Sequence, residues 1–129
     1  MFMFIGLFSL IVFHLPPSAS AEVLSQGVAN YLPITSKASV KNGDIVSSTK
    51  SGYTLSKIPY DALMVGVVAI DPAVAIDLLL EKKGFPVVAT GNTYVNVNTS
   101  NGEIKIGDTI TSSATPGTGM KATDPGYII

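Results

Sequence analysis

The sequence predicts a mostly β protein, a small barrel or sandwich of about eight short antiparallel strands with one short helix. Turn dipeptides recur along the chain, the apolar residues are mainly Val, Ile, Leu and Ala, and one phrase occurs twice. The phrase is Val40–Ser48 at its first occurrence and Ile104–Ser112 at its second. In each copy Gly-Asp stands between a short apolar segment and a strand-like run, which is typical of a turn followed by a strand. By analogy with β-clip folds, the two units are expected to be related by a pseudo-two-fold axis.

The first 15 residues are almost wholly apolar and are followed by Pro16-Pro17 and the small-residue triplet Ala19–Ala21. This order is typical of an apolar signal helix with a cleavage site after the triplet, although no Lys or Arg precedes the apolar core. The alternative is an uncleaved short anchor, although a membrane-crossing helix needs roughly 20 residues. We expect 1–21 to be a signal peptide or anchor, 22–39 a lead-in segment and 40–129 a β-rich domain. The expected location is extracytoplasmic, either secreted or in the cell envelope.

The chain beyond residue 21 contains no Cys, His, Arg or Trp. The usual ligands of zinc, copper and haem are therefore missing, and so are the Ser-His-Asp triad and the Cys-His pair. Eight Lys stand against nine Asp and Glu, and no Arg is present. Nucleic acid is not an expected partner, because its binding depends on clustered positive charge. We expect no cofactor and no metal.

The first elements are predicted from turn signals and apolar patterning. Pro33 limits the apolar stretch Tyr31–Ile34 to an edge strand or a loop. A hairpin follows, with strands Asp44–Ser48 and Tyr53–Ser56 joined at Ser51-Gly52. Its expected inward side chains are Ile45, Tyr53 and Leu55.

The middle of the chain contains a continuous apolar run and an ambiguous segment. Leu63–Ile70 predicts a strand buried on both faces, and Gly66 within it indicates a bulge or a close backbone approach. Asp71 as N-cap, Pro72 at the first helical position and Gly84 after the end predict a helix over Pro72–Lys83. The alternative is a strand over Ala73–Ile76.

The last third is predicted to be strands separated by turns. Phe85–Thr90 leads to a turn at Gly91-Asn92 and then to an alternating strand over Thr93–Thr99. In that strand Val95 and Val97 are expected to face inward and Tyr94, Asn96 and Asn98 outward. Asn101-Gly102 turns the chain into the second Gly-Asp unit, and Pro116-Gly117 turns it toward Met120–Ala122. The apolar run Tyr127–Ile129 indicates a domain that is truncated in mid-strand.

Five stretches occur in one order: Pro59-Tyr60-Asp61, Gly66-Val67-Val68, Phe85-Pro86-Val87-Val88, Gly102–Asp108 and Thr111–Gly117. Together they make Val40–Ile129 resemble a β-rich module of uncharacterised bacterial exported and membrane proteins. Such modules also occur beside fibre-like or β-helical regions of bacterial surface and phage proteins. In these proteins the run that matches Gly126–Ile129 usually continues, and some relatives carry membrane-spanning helices further on. The resemblance implies no catalytic residues.

One enzymatic option fits the residues present, a Ser or Thr nucleophile activated by a lysine. Thr111, Ser112 and Ser113 supply the hydroxyls, and Lys105 or Lys121 supplies the amine. A lysine base needs desolvation that lowers its pKa. We favour the simpler hypothesis that these hydroxyls line a hairpin and make local hydrogen bonds.

Two further sets of residues are candidates for binding. Gly43-Asp44 and Gly107-Asp108 could supply halves of a calcium site, but a calcium ion needs about six or more oxygen ligands. We favour structural turns, with Gly at positive φ and Asp bonded to its own turn; Pro116-Gly117 is a third such turn. Tyr94, Asn96 and Asn98 suit a glycan or a partner strand, although a solvated strand face has the same composition.

We expect a non-enzymatic structural or interaction module of the bacterial cell envelope or surface. Its expected partners are other envelope or surface proteins. Membrane contact is expected through residues 1–15 or through a region beyond Ile129. The alternatives are a self-cleaving module with a Ser or Thr nucleophile and a glycan-binding surface module.

Overall fold

The computed structural model describes residues 25–36, 38–77 and 83–129, which form eight strands and, within these ranges, no helix. The strands are β1 (Ser25–Leu32), β2 (Ile45–Thr49), β3 (Gly52–Leu55), β4 (Met64–Val68), β5 (Pro72–Ile76), β6 (Phe85–Asn92), β7 (Ile110–Ser112) and β8 (Gly119–Lys121). The mostly β class is therefore confirmed. The predicted signal helix in 1–21 lies outside the described residues. Within the described ranges, no helix is long and apolar enough to cross a membrane.

The strands form a six-stranded sheet in the order β3-β2-β4-β6-β1-β5 and a two-stranded sheet of β7 and β8. Neighbours are antiparallel except for the parallel pair β1–β5. The barrel prediction is wrong, because the end strands β3 and β5 do not pair with each other as closure requires. The expectation of exclusively antiparallel strands is also wrong, because β1 lies between an antiparallel and a parallel neighbour.

The predicted β2–β3 hairpin is present, with Val46 opposite Leu55 and Thr49 opposite Gly52. Ile45 and Leu55 are buried as expected, whereas Tyr53 is half-buried. Strand β4 occupies the predicted apolar run. The β2–β4 register shifts after Val46, which pairs with Gly66, so both features predicted from this glycine are found. The α-carbon of Gly66 lies against the carbonyl of Val88, where a Cβ atom would clash.

The predicted helix over Pro72–Lys83 is wrong at its beginning, because Pro72–Ile76 is strand β5; residues 78–82 lie outside the described ranges. The alternative, a strand over Ala73–Ile76, is correct. Pairing with β1 supplies backbone hydrogen bonds to this β-branched stretch, and a proline is tolerated at the first position of an edge strand.

The segment expected to be a lead-in contributes strand β1, which lies inside the sheet between β6 and β5. The strand stops at Leu32, directly before Pro33, which has no N–H for the ladder. Gly27 lies against the Val88 side chain, and Ala29 is fully buried. Pro33 therefore ends a strand of eight residues, and Tyr31 and Leu32 are the last two residues of that strand.

The expected strand over Thr93–Thr99 is wrong, because these residues make one isolated bridge, from Val97 to Gly119. Gly91-Asn92, expected to be a turn, forms the end of β6 and pairs with Gln26 and Gly27 of β1. The inward-outward assignment is correct for Tyr94 and Asn96, which are exposed. It is wrong for Val97, which is exposed, and for Asn98, which is half-buried. Hydrogen bonds of the asparagines determine the orientation of this segment.

The core lies on both faces of the central strands. Val46, Val68 and Val87 form one cluster, and Ala29, Ala69 and Val88 form another. Burying a valine side chain contributes about 1.5–3 kcal/mol, so these clusters account for much of the stability. Partly buried side chains that pack on the first cluster are Leu32, Ile34, Val40, Tyr53, Val65 and Phe85.

The β7–β8 hairpin packs against β2 through a glycine. A Cβ atom at Gly119 would lie 3.2 Å from Cδ1 of Ile45 and 2.7 Å from Cγ2 of Ile110. A glycine here permits the hairpin to approach the main sheet. The second Gly-Asp unit is thereby brought next to the first.

Candidate functional site

The first Gly-Asp turn is closed by its own aspartate. Oδ2 of Asp44 accepts a hydrogen bond from the backbone N–H of Lys41 at 2.8 Å, and the Asp44 N–H donates to the Lys41 carbonyl at 3.2 Å. Gly43 has a φ of +86°, which glycine adopts without steric cost. Asp44 is buried, so its carboxylate depends on donors within the protein, such as the Lys41 N–H, rather than on water.

The second Gly-Asp turn has the same geometry. Oδ2 of Asp108 accepts from the Lys105 N–H at 2.7 Å, and the Asp108 N–H donates to the Lys105 carbonyl at 3.0 Å. Gly107 has a φ of +92°. The repeated phrase in the sequence is therefore a repeated turn in the structure.

The two aspartates differ in their remaining partners. Asp108 forms an ion pair with Lys121 (Nζ to Oδ2, 3.0 Å). The hydrogen bond from the Lys105 N–H, and then the interaction with Lys121, lower the pKa of Asp108 below its usual value. Asp44 instead accepts a hydrogen bond from the side-chain amide of Asn96 at 2.9 Å.

The asparagines of the expected binding face make contacts within the protein. The Asn96 amide donates to the carbonyl of Asn42 at 2.8 Å as well as to Asp44. The Asn98 amide donates to the hydroxyls of Ser113 at 3.1 Å and Thr115 at 3.3 Å. Each side-chain amide has two N–H groups, and in both asparagines each N–H has its own acceptor.

Tyr94 is exposed, in contrast to the engaged amides of the same expected face. Asn98 also accepts from the N–H and the hydroxyl of Ser100, at 3.1 and 2.6 Å. The expected set of three residues therefore consists of two bonded amides beside a solvated ring.

The hydroxyls of Thr111, Ser112 and Ser113 belong to buried residues and donate to backbone carbonyls. Ser112 Oγ donates to Ile58 O at 2.7 Å and accepts from the Asp61 N–H at 2.8 Å. Ser113 Oγ donates to Thr118 O at 2.7 Å. A carbonyl does not remove the hydroxyl proton, so neither serine is paired with a base in this arrangement. Thr111 Oγ1 likewise donates to Tyr127 O.

The candidate lysines lie elsewhere. Lys121 is directed to Asp108, and its side chain is 30% exposed, so it is not desolvated as an amine base would need. Lys105 is exposed and contributes its backbone N–H to the second turn. The structure thus places these lysines with the Gly-Asp turn rather than with the serine hydroxyls.

The third turn joins the two units. Gly117 has a φ of +71°, its N–H donates to Ser56 O at 2.7 Å, and its carbonyl accepts from the Ile45 N–H at 2.7 Å. A Cβ atom at this position would lie 2.8 Å from Cγ of Asp44. Gly117, in the turn that begins with Pro116, is therefore in contact with the buried aspartate of the first unit.

Sequence reasoning missed a buried carboxylate at Asp61. Its Oδ2 accepts from Ser56 Oγ at 3.2 Å, and its Oδ1 accepts from the Leu63 N–H at 2.9 Å. Ser112 completes the cluster through the Asp61 N–H. An aspartate before a strand indicates a local turn bond, but the contact with Ser112, 51 residues away, has no local signal.

Tyr60 is a second residue that the pattern did not reveal. It has a φ of +56°, which is uncommon for a residue with a side chain. Its phenolic oxygen accepts from the N–H groups of Thr123 at 2.8 Å and Asp124 at 3.0 Å. The hydrogen bond with the Thr123 side chain, followed by that with the Asp124 N–H, lowers the pKa of Tyr60.

Two concave surfaces lie near these residues. A cleft of about 480 Å³ is lined by Ser39, Lys41, Asp44, Asn96 and Thr115, among others. A groove of about 560 Å³, with both polar and apolar lining, runs along β4 and β6 toward Ile129. Across residues 25–36, 38–77 and 83–129, no group of three or more acidic side chains is arranged to hold a metal ion.

Comparisons with models of protein families, with curated proteins and with solved structures gave no match. The chemistry of the site is therefore inferred from its own contacts. Those contacts are hydrogen bonds that connect one turn to another. We call this set of internal hydrogen bonds, made by Asp44, Asn96, Asn98 and Asp61, the polar interface.

Proposed function

We propose that this chain is a non-enzymatic exported module that holds or joins components of a bacterial cell envelope or surface. The observation that carries the proposal is the bonding of Ser112 and Ser113, whose hydroxyl protons go to backbone carbonyls. A nucleophile of this kind needs an adjacent base. The apolar leader and its small-residue cleavage triplet support export.

The polar interface supports the same proposal. Asp44, Asn96, Asn98 and Asp61 all bond within the protein, so their side chains stabilise the fold rather than present a reactive group. Hydrogen bonds to charged groups contribute about 1.5–3 kcal/mol each. A domain beyond the leader that lacks disulfides depends on such bonds and on its core.

The experiment compares intact masses and unfolding free energies of the full chain and three serine variants. Ser112→Ala and Ser113→Ala should each lower the unfolding free energy by about 1–3 kcal/mol, because buried partners lose their hydrogen bonds. Ser47→Ala is the matched control. Ser47 is equally buried, but its hydroxyl has no partner among the described residues, so its removal should cost little.

The mass spectrum should show one unfragmented chain, without its leader, for the wild type and for both variants, each variant being lighter by one oxygen atom. A fragment pair that is present in the wild type and lost in Ser112→Ala would instead show self-cleavage. Cell fractionation tests export, with the protein expected outside the cytoplasm. Recovery in the cytosol with the leader intact would contradict the export part of the proposal.

A further inference from the structure

The sequence contains two Asn-Gly pairs, and both lie in turns of the structure. They are Asn42-Gly43, in the first Gly-Asp turn, and Asn101-Gly102, before the second. Such a pair can react with itself, because glycine has no Cβ atom to keep its backbone nitrogen from the side-chain carbon of the asparagine. The product is a succinimide ring, which water opens. The contacts around each pair determine how easily the two atoms meet.

The first pair is held on both sides of the bond that would form. The Gly43 N–H donates to the Val68 carbonyl at 2.8 Å, and Oδ1 of Asn42 accepts from the Ile70 N–H at 2.9 Å. Asn42 is exposed, but Gly43 is buried and Val68 belongs to β4, inside the six-stranded sheet. The reaction needs the Gly43 nitrogen to lose its proton and turn toward Asn42. Separating this turn from a central strand costs a large share of the free energy of unfolding.

The second pair is held less firmly. Gly102 is exposed, and its N–H donates to the Thr99 carbonyl of the same exposed turn at 3.0 Å. A Cβ atom added to Gly102 would have no atom within 4 Å, so the turn is open on this side. The Asn101 amide donates to the Lys121 carbonyl at 3.1 Å and to Thr123 Oγ1 at 3.2 Å. Opening this turn breaks no bond of a strand ladder, and the opening of exposed turns costs little free energy.

We propose that Asn101 is a modification site, at which the side chain deamidates and the backbone isomerises, and that the fold protects Asn42 from the same reaction. The Gly102 nitrogen loses its proton to solvent and bonds to Cγ of Asn101. The bond from Cγ to the amide nitrogen breaks, and that nitrogen takes up a proton and leaves as ammonia. Water, the co-reactant, then opens the succinimide at either carbonyl and gives aspartate or isoaspartate, with no change of oxidation state. The reaction is independent of the proposed function.

The modification removes a contact between this loop and the segment after β8. The Asn101 amide donates to the Lys121 carbonyl, whereas a carboxylate only accepts, so this bond is lost and a negative charge faces the carbonyl oxygen. The second acceptor, Thr123, also donates its N–H to the phenolic oxygen of Tyr60. Deamidation at Asn101 therefore loosens the same segment that Tyr60 holds.

The test follows both asparagines in the full chain during incubation at mildly alkaline pH, by peptide mapping with mass spectrometry. Each modified peptide is heavier by the difference between water and ammonia, and isoaspartate is identified by its backbone fragments after electron transfer. In the folded protein Asn101 should react at least about tenfold faster than Asn42, which corresponds to about 1.4 kcal/mol of additional opening free energy at Asn42. In urea above the unfolding transition the two rates should be similar, since both asparagines precede glycine.

Two variants test the chemistry and its consequence. Gly102→Ala should slow the reaction at Asn101 in the folded and the unfolded chain, because the new Cβ hinders the nitrogen, and should leave the rate at Asn42 unchanged. The added Cβ meets no neighbouring atom, so Gly102→Ala should fold. Asn101→Asp reproduces one product and should speed amide hydrogen exchange at Thr123.

Equal rates at the two asparagines in the folded protein would overturn the proposal, since the fold would then protect neither site. So would an unmodified Asn101 in the folded protein after the unfolded chain has reacted at that position, because the second turn would then be closed to the reaction as well. Unchanged exchange at Thr123 in Asn101→Asp would contradict the loosening of the segment after β8.

Discussion

The side-chain amide of Asn96 donates a hydrogen bond to Oδ1 of Asp44 at 2.9 Å, across 52 residues of chain. The backbone confirms the attachment, because the Asn96 N–H donates to Gly43 O and the Asn96 carbonyl accepts from Gly119. The segment between the two repeated units therefore bonds to the first turn and to β8 together. Asn96 and Asp44 therefore form an internal frame, in which their polar groups hold parts of the fold together.

Gly117→Ala should destabilise the protein by about 2–4 kcal/mol, because it adds strain at positive φ to a close contact. The new Cβ would lie 2.8 Å from Cγ of Asp44, and the φ of +71° disfavours a side chain. Urea denaturation measures the difference. Gly102→Ala is the control, since Gly102 has a positive φ but no atom within 4 Å of its added Cβ.

The control should lose about 1–2 kcal/mol from the backbone conformation alone. The excess for Gly117 then measures the contact with the buried aspartate. If the two variants were equally stable, the Pro116-Gly117 turn would not be held against Asp44.

The carboxylate of Asp108 should make the free energy of unfolding fall as the pH is lowered into the acid range. Its pKa is lowered in the folded state, chiefly by the hydrogen bond from the Lys105 N–H, from a usual value of 3.8. The stabilisation is therefore complete above that value and is lost as the pH falls through the folded pKa. Asp108→Asn should flatten the fall in unfolding free energy below about pH 4.

Urea denaturation across that pH range measures the effect as the difference between wild type and variant. Glu103→Gln, which removes a carboxylate from the preceding loop, is the matched control. A wild-type curve that is parallel to that of Asp108→Asn would show that the turn does not favour the ionised carboxylate.

Tyr60→Phe should loosen the C-terminal segment without unfolding the sheet. The variant removes the phenolic oxygen that accepts the N–H groups of Thr123 and Asp124. Amide hydrogen exchange at these two positions should become faster, because local opening exposes their amides. Tyr94→Phe, in an exposed ring, is the control and should leave both rates unchanged.

Local signals were sufficient for the two Gly-Asp turns and the two hairpins, but not at Gly91-Asn92, where a turn was expected and β6 ends. Gly43-Asp44, Ser51-Gly52 and Pro116-Gly117 encode their geometry within a few residues, and β2, β3, β7 and β8 follow from them. The register shift and the close backbone approach at Gly66 were also predictable, because a glycine within a buried strand indicates a bulge or a close approach.

Non-local pairing was beyond the same reasoning. The segment Pro72–Ile76 begins with helix-start signals, Asp71 and Pro72, but contains β-branched residues, and its pairing with β1 resolves the conflict. The roles of Asn96 and Asp61 likewise depend on partners about 50 residues away. Alternation in Thr93–Thr99 was misleading, because amide hydrogen bonds rather than a ladder orient these side chains.

A double-mutant cycle on Asp44 and Asn96 tests most directly whether the polar residues form an internal frame. Asp44→Ala, Asn96→Ala and the double variant should give a coupling energy of about 1–2 kcal/mol, whereas Asp44 with Tyr94 should give roughly zero. Coupling below about 0.5 kcal/mol, with Asn96→Ala as stable as the wild type, would contradict this account. Asn96 would then be available for a ligand.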